Sequence, residues 1–156
     1  MRTVLQRSKG FTLVELIIVL TVIAIILAVV LPSFRGMRQE ANMSRAQQEL
    51  NTLKTAVTSY FRNNNAYPAN VHAALTGASP RIITSILEDP FKTDASTTPN
   101  TYGYVTGTDA SFGEYFIVYS KGPDATAATV WNAATGQVDV GGDDIAASNA
   151  PLNKVP

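Results

Sequence analysis

Glu15 is a carboxylate in a position where a carboxylate is costly. It interrupts the run Phe11–Leu31, in which 18 of 21 residues are apolar. An acid inside such a segment costs about 2.5–3.5 kcal/mol on insertion scales and marks a functional site by default. The run holds no Lys or Arg that could pair with it. A cut between Gly10 and Phe11 would create an amino-terminal cation about one helical turn away, able to neutralise Glu15 of its own chain or of a neighbouring copy.

Three further carboxylates stand in turns rich in Gly and Pro. Asp124 ends the segment Ser120–Asp124, and Asp143 and Asp144 lie within Gly141–Ile145. Oxygen-rich loops of this kind suit a hard ion such as Ca²⁺, which takes about 6–8 oxygen ligands. Asp and Gly are also ordinary turn residues. Composition therefore leaves two interpretations open, a calcium site and plain turns.

The composition excludes several other kinds of chemistry. Cys is absent, which excludes disulfides, a catalytic thiol and any thiolate metal site. His72 is the only histidine and is expected to be a surface or capping residue rather than a base. Twelve basic and twelve acidic residues cancel, and a nucleic-acid binder would show a basic excess. We therefore predict no enzymatic activity and no nucleic-acid partner.

The element that carries Glu15 has the dimensions of a membrane span. As a helix, the run Phe11–Leu31 would be about 32 Å long, the thickness of a bilayer core. It is too long for the apolar region of an ordinary cleaved signal peptide. The preceding residues 1–10 contain three bases and no acid. Positive charge keeps such a flank in the cytoplasm, so the remainder of the chain is expected outside it.

A second helical segment and a head domain are expected to follow. Pro32 would kink or open a helix. The helical pattern then resumes to Arg62, with an apolar stripe at helical spacing from Ala46 to Phe61, and the three asparagines 63–65 predict its end. Residues 63–156 then form a loop-rich head. Its predicted elements are short helical turns at Val71–Leu75 and Pro80–Leu87, strands at Tyr102–Val105 and Tyr115–Tyr119, and a hairpin of Thr129–Asn132 with Gln137–Val140.

The segment Lys9–Glu15 carries a family resemblance. A basic leader ending in Gly, then Phe, then an apolar helix with Glu at its fifth position resembles the class III signal of type IV pilin-like proteins, and Pro32 fits the same pattern. The resemblance implies cleavage after Gly10 by a prepilin peptidase, N-methylation of Phe11, and polymerisation in which Glu15 and Pro32 take part. It divides the chain into a leader (1–10), a transmembrane helix (11–31), an amphipathic stalk (32–62) and a head (63–156).

The head is similar to the major pseudopilin of type II secretion systems. The similarity is carried by Glu88–Phe91, Tyr102–Tyr104, Tyr115–Asp124 and Gly141–Ile145. It implies a Ca²⁺ ion held by three carboxylates, namely Asp124, Asp143 and Asp144. The two acidic pieces are usually close together in that family, whereas here residues 125–142 intervene. This insert could hold an added hairpin, or the site could be lost.

The expected fold is α+β, the type IV pilin fold, with a long amino-terminal helix packed on a small antiparallel sheet. The resemblance implies an inner-membrane subunit with a periplasmic head that assembles into a filament driving protein export across the outer membrane. The implied partners are other copies of the chain, membrane lipid, the prepilin peptidase, minor pseudopilins and an inner-membrane assembly platform. Two alternatives remain: a type IV pilus subunit forming a surface fibre, and an anchored calcium-binding module that does not polymerise.

Overall fold

The computed structural model describes residues 10–79, 81–91 and 101–155. The chain divides into two compact units, Met1–Arg38 and Gln39–Pro156. The predicted leader, apart from Gly10, lies outside the described residues. The described elements are two helices and six strands.

Helix α1, Leu13–Asn64, begins two residues after Phe11. In the first unit, every side chain from Leu13 to Leu31 is exposed. This stretch is long and apolar enough to cross a membrane, and none of it is buried within the protein. Position 32, where a kink or an opening of the helix was expected, lies within α1, and the helix continues beyond it. The expected apolar helix is confirmed.

In the second unit, α1 has one buried face. Ala46, Leu50, Leu53 and Val57 are each at most 1% exposed, and their 4-3-4 spacing places them on one side of a helix. The helix ends at the predicted asparagines. Asn65 takes a left-handed φ of 53° and donates its backbone N–H to the Phe61 carbonyl at 2.7 Å, which satisfies an end carbonyl.

The predicted α+β fold, a long helix with a small antiparallel sheet, is confirmed, and the described residues of the head form two three-stranded sheets. The first has the order β1 (Gly103–Asp109), β2 (Gly113–Ser120), β5 (Ile145–Ser148) and is antiparallel. The second has the order β3 (Val130–Asn132), β4 (Gln137–Gly141), β6 (Leu152–Val155). The predicted β3–β4 hairpin is confirmed, and β6 adds a parallel pair with β4.

The central strand of the first sheet, β2, is buried on both faces from Phe116 to Val118. Phe116 and Val118 on one side of β2 join the core that α1 forms with α2 (Val71–Gly77), while Ile117 on the other side packs against the second sheet. Burial on both faces explains why β2 is a continuous aromatic and β-branched run rather than an alternating one. The second core consists of a few small apolar residues: Ile117, Val138, Val140 and Ala150.

Two local predictions in the head need correction. The segment 81–87 contains no helical turn. Instead, Ile82 and Ile83 donate backbone hydrogen bonds to the Leu75 carbonyl and pack against the first core, where β-branched side chains are better placed than in a short helix. His72 does not cap α2, because the Asn70 side chain takes that role by accepting from Ala73 N. His72 is half-buried within α2.

Candidate functional site

The start of α1 is closed by Thr12 and Glu15. The Glu15 Oε2 accepts hydrogen bonds from the Thr12 backbone N–H at 2.9 Å and from the Thr12 hydroxyl at 2.8 Å. In return the Glu15 N–H donates to Thr12 Oγ1 at 3.2 Å. This reciprocal arrangement is a capping box, which satisfies amide groups that a helix terminus otherwise leaves unpaired. Glu15 therefore has an uncharged partner in its own chain.

The surface beside Glu15 is apolar and open. Phe11 is 83% exposed and Leu13 is 73% exposed. Space for a side chain exists around Gly10, since a Cβ there would meet nothing within 4 Å. Exposed apolar surface of this extent is typical of a segment that is covered by lipid or by other protein chains. Within the described residues, no Lys or Arg forms an ion pair with Glu15.

The head brings together the three carboxylates that were predicted to bind an ion. One carboxylate oxygen from each of Asp124, Asp143 and Asp144 lies within 4.8 Å of the others. Asp144 is 1% exposed, Asp143 is half-buried and Asp124 is exposed. The cluster is thus anchored in the protein at one side and open to solvent at the other.

Backbone and hydroxyl donors hold one oxygen of each inner carboxylate. Asp144 Oδ2 accepts from Ala128 N at 2.8 Å and from the Thr129 hydroxyl at 2.7 Å. Asp143 Oδ2 accepts from Asp124 N at 3.0 Å. The other oxygen of each, Oδ1, is buried and has no hydrogen-bond partner among the described residues. Buried carboxylate oxygens are normally paired, so these two are available to a ligand.

The intervening residues form the hairpin that the sequence allowed. Strands β3 and β4 pair antiparallel within 125–142 and return the chain to its starting point. Ala128, just before β3, consequently lies next to Gly141 at the end of β4. The insert therefore leaves the two acidic pieces side by side.

The electrostatics of the cluster favour a hard cation. Three carboxylates approach one another, and the only ion pair among the described residues is elsewhere, between Arg45 and Glu49. Like charges at this separation repel, more strongly where one is buried. A divalent ion with oxygen ligands would reduce that repulsion and could bind the Oδ1 atoms of Asp143 and Asp144. The residues present fit such an ion.

Comparison with known proteins finds similarity over part of the chain. Residues 5–31 match the model of the prokaryotic N-terminal methylation motif. The chain is similar to a fimbrial protein of Neisseria meningitidis serogroup B, with 38% identity over 48% of this chain and 44% of that protein. It is similar to the type IV major pilin protein PilE1 of Neisseria gonorrhoeae, with 38% identity over 47% and 44%. With the type II secretion system core protein G of Pectobacterium carotovorum it shares 30% identity over 40% of each chain.

These matches confirm the resemblance read from the amino-terminal residues. Each spans less than half the length of the relative concerned. No solved structure matches the chain.

Sequence reasoning did not identify the residues that hydrogen-bond to the predicted site residues. Thr12 could have been found, because Thr-Leu-Val-Glu has the spacing of a capping box. Thr129, which holds Asp144, carries no local signal, since 15 residues separate the two. The same is true of Asp89, which accepts a hydrogen bond from Ser120 across 31 residues.

Proposed function

We propose that this type IV pilin-like protein is a structural subunit of a type II secretion filament. In this proposal a prepilin peptidase cleaves after Gly10, the new Phe11 amine is methylated, and the helix holds the subunit in the inner membrane with its head in the periplasm. Subunits then polymerise through their helices, with minor pseudopilins and an inner-membrane platform as partners, and the growing filament drives export. The observation that carries the proposal is one acid at the start of the apolar stretch Leu13–Leu31 of α1, in which every side chain is exposed.

The argument rests on what can neutralise Glu15. Thr12 supplies hydrogen bonds but no positive charge. A methylated amine on Phe11 remains a cation and stands four residues from Glu15. Placed beside Glu15 of a neighbouring copy, it would satisfy the acid only when two helices align in register. A charge pair in an apolar environment is strong and penalises misalignment, so it favours one packing over others.

Replacement of Glu15 by Val tests the assembly role. The variant should still be processed and inserted, because Val is better tolerated than Glu in a membrane, but filaments should be largely lost. Thr21→Val is the matched control, since it also removes a polar group from the apolar run. The Thr21 hydroxyl donates to carbonyls of its own helix, at Ile17 and Ile18. Intact filaments from Glu15→Val would contradict the assembly role of Glu15, whereas a wild-type chain that forms no filaments would favour an anchored module that does not polymerise.

The processing step has its own test. Intact mass of the protein from its native membrane should show loss of residues 1–10 and gain of one methyl group. A mature chain that begins at any residue other than Phe11 would contradict the proposal, because the amine would then be misplaced relative to Glu15.

A surface pilus is the second candidate, favoured by relatives that are pilins. Two features support the secretion filament: the absence of Cys, and the similarity of Glu88–Phe91 and the terminal acidic loop to the major pseudopilin. A deletion strain separates the two. Loss of protein export without loss of surface fibres supports the secretion filament, and the reverse supports the pilus.

We also propose that Asp124, Asp143 and Asp144 bind Ca²⁺ and thereby stabilise the head. The support is the mutual approach of three carboxylates and the two buried carboxylate oxygens that have no partner in the part of the chain that the structure describes. At a hundredfold excess over its dissociation constant, an ion that binds only the folded chain adds about 2.7 kcal/mol.

Calorimetry of the full chain in detergent, with calcium and then with a chelator, tests this site. Calcium should raise the melting temperature by several degrees, and the effect should vanish in Asp143→Asn. Asp139→Asn is the matched control, because Asp139 is also a head carboxylate but is held by Asn132 and Asn153 outside the cluster. A melting temperature that calcium leaves unchanged in the wild type would rule out the ion.

A further inference from the structure

We infer that Asp89 and Ser120 form a buried pair that positions the turn carrying Asp124 for cation binding. The inference rests on the proposed calcium site and assigns it two positioning residues outside the carboxylate cluster. Neither residue is among the three carboxylates, and the pair acts through the backbone that joins Ser120 to Asp124.

Asp89 is an acid in the head interior. It is 4% exposed, and Ser120 is fully buried. Asp89 Oδ1 accepts from the Ser120 hydroxyl at 2.8 Å and from the Phe91 backbone N–H at 3.0 Å. An ionisable side chain is expensive to bury and is kept only where specific hydrogen bonds hold it. Packing alone would be served better by an apolar residue.

The pair fixes the point at which the chain leaves β2. Ser120 is the last residue of that strand, and its Oγ accepts from the Gly122 N–H at 3.4 Å. Gly122 has a φ of 65°, and its carbonyl accepts from Ala125 N at 3.2 Å, closing the turn around Asp124. Asp89 therefore orients Ser120, and Ser120 orients the first amide of the turn.

Among the described residues, few side-chain hydrogen bonds join this turn to the rest of the head. Asp124 and Ala125 are exposed. Apart from contacts within the turn, its hydrogen bond to the rest of the head runs from Asp124 N to Asp143 Oδ2, which is itself part of the cluster. Gly122 packs directly against the Asp143 backbone. A small rotation at Ser120 would accordingly move Asp124 relative to the two inner carboxylates. Ligand geometry of Ca²⁺ depends on that separation.

The test compares two buried serines in calcium titrations of the full chain in detergent. Ser120→Ala removes the bridging hydroxyl. Ser148→Ala is the matched control, because Ser148 is 1% exposed and its hydroxyl bonds to Phe116 O and Ala150 N, away from the cluster. Both variants should lose similar thermal stability without calcium. Loss of the positioning bond should weaken calcium binding about tenfold in Ser120→Ala alone.

Asp89 variants separate positioning from charge. Asp89→Asn keeps an acceptor oxygen for Ser120 and should bind calcium nearly as the wild type does, whereas Asp89→Ala should resemble Ser120→Ala. If Asp89→Asn weakens binding while Ser120→Ala does not, Asp89 acts through its charge and the inference is wrong.

Two further outcomes distinguish this inference from the calcium site itself. Wild-type chain that binds no calcium overturns both. Calcium binding that is equal in Ser120→Ala and Ser148→Ala overturns the positioning role and leaves the site standing. In calcium-free protein, amide hydrogen exchange at Asp124 and Ala125 should be faster in Ser120→Ala than in Ser148→Ala, and equal rates would contradict the inference.

Discussion

Gly122 shows how one residue can set the shape of the acidic cluster. Its φ of 65° lies in the left-handed region that favours glycine. A Cβ at this position would also press against the carbonyl oxygen and backbone carbon of Asp143, closer than van der Waals contact. Two independent constraints, one conformational and one steric, thus require Gly where the two acidic loops meet.

Gly122→Ala should therefore destabilise the head more than an equivalent change elsewhere. Gly136→Ala is the control, because Gly136 has the same φ of 65° and open space around its Cβ position. The control should lose about 1–2 kcal/mol from backbone strain, and Gly122→Ala roughly 1–3 kcal/mol more from overpacking. Urea unfolding of the full chain, followed by Trp131 fluorescence, measures both. Equal losses would show that the Asp143 backbone moves aside freely.

At the scale of elements, the capping box at the start of α1 stabilises the helix end in the isolated subunit. Thr12 and Glu15 bond to each other's backbone N–H groups, so Glu15 is satisfied by hydrogen bonds before any neighbour is present. Assembly as proposed above would exchange or supplement these neutral bonds with a charged one. The same side chain then contributes first to starting the helix and later to aligning it with another.

Thr12→Val should loosen this first turn without affecting the rest of the helix. Loss of the capping hydroxyl costs about 1 kcal/mol, which corresponds to roughly fivefold faster amide exchange at Glu15. Nuclear magnetic resonance of the chain in micelles measures the exchange, and Thr12→Ser should restore the protection. Thr21→Val, which removes a hydroxyl bonded to the preceding turn, should leave the Glu15 rate unchanged. Unchanged exchange in Thr12→Val would mean that the capping box contributes nothing in a micelle.

At the scale of the head, the long helix is tied to the sheet through tyrosines. The Tyr102 hydroxyl donates to Glu49 Oε2 at 2.7 Å, and Glu49 also pairs with Arg45 at 2.8 Å. Burial, followed by the bond to Glu49, holds the pKa of Tyr102 well above its ordinary value. Burial likewise raises the pKa of Tyr104 to about 12. Tyr102 belongs to the first core and Tyr104 packs against it, and the raised pKa values mean that both phenols keep their protons to higher pH in the folded chain than in the unfolded one.

The head should consequently lose stability in alkaline solution. A group whose pKa is raised on folding keeps its proton in the folded chain after the unfolded chain has lost it, so unfolding is favoured as pH rises. Stability should be complete below about pH 10, the ordinary value for Tyr, and should fall towards pH 12. Urea unfolding across this range measures the slope, which should be shallower in Tyr104→Phe. An identical slope in that variant would contradict the assignment.

Much of this molecule could be predicted because its signals are local. The apolar run Phe11–Leu31, the helix end at the asparagines 63–65 and the β3–β4 hairpin each depend on neighbouring residues. Strand β6 was not predicted, because it is only four residues long and exposed. It pairs with β4, from which β5 separates it along the chain. The prediction of a helical turn at 80–87 is wrong for the described residues 81–87, because Ile82 and Ile83 pack against a core formed by residues distant in the chain.

The sequence by itself determined the apolar segment of α1, the single acid within that segment and the three head carboxylates proposed as ion ligands, because hydropathy and charge are properties of residues and of their spacing along the chain. Only the tertiary structure decided that Asp124 returns to Asp143 and Asp144 across the inserted hairpin, that two buried carboxylate oxygens have no partner among the described residues, and that Asp89 accepts a hydrogen bond from Ser120. These facts depend on pairing between residues far apart in the chain. Such pairing is set by packing of whole sheets and carries no signature in any short segment.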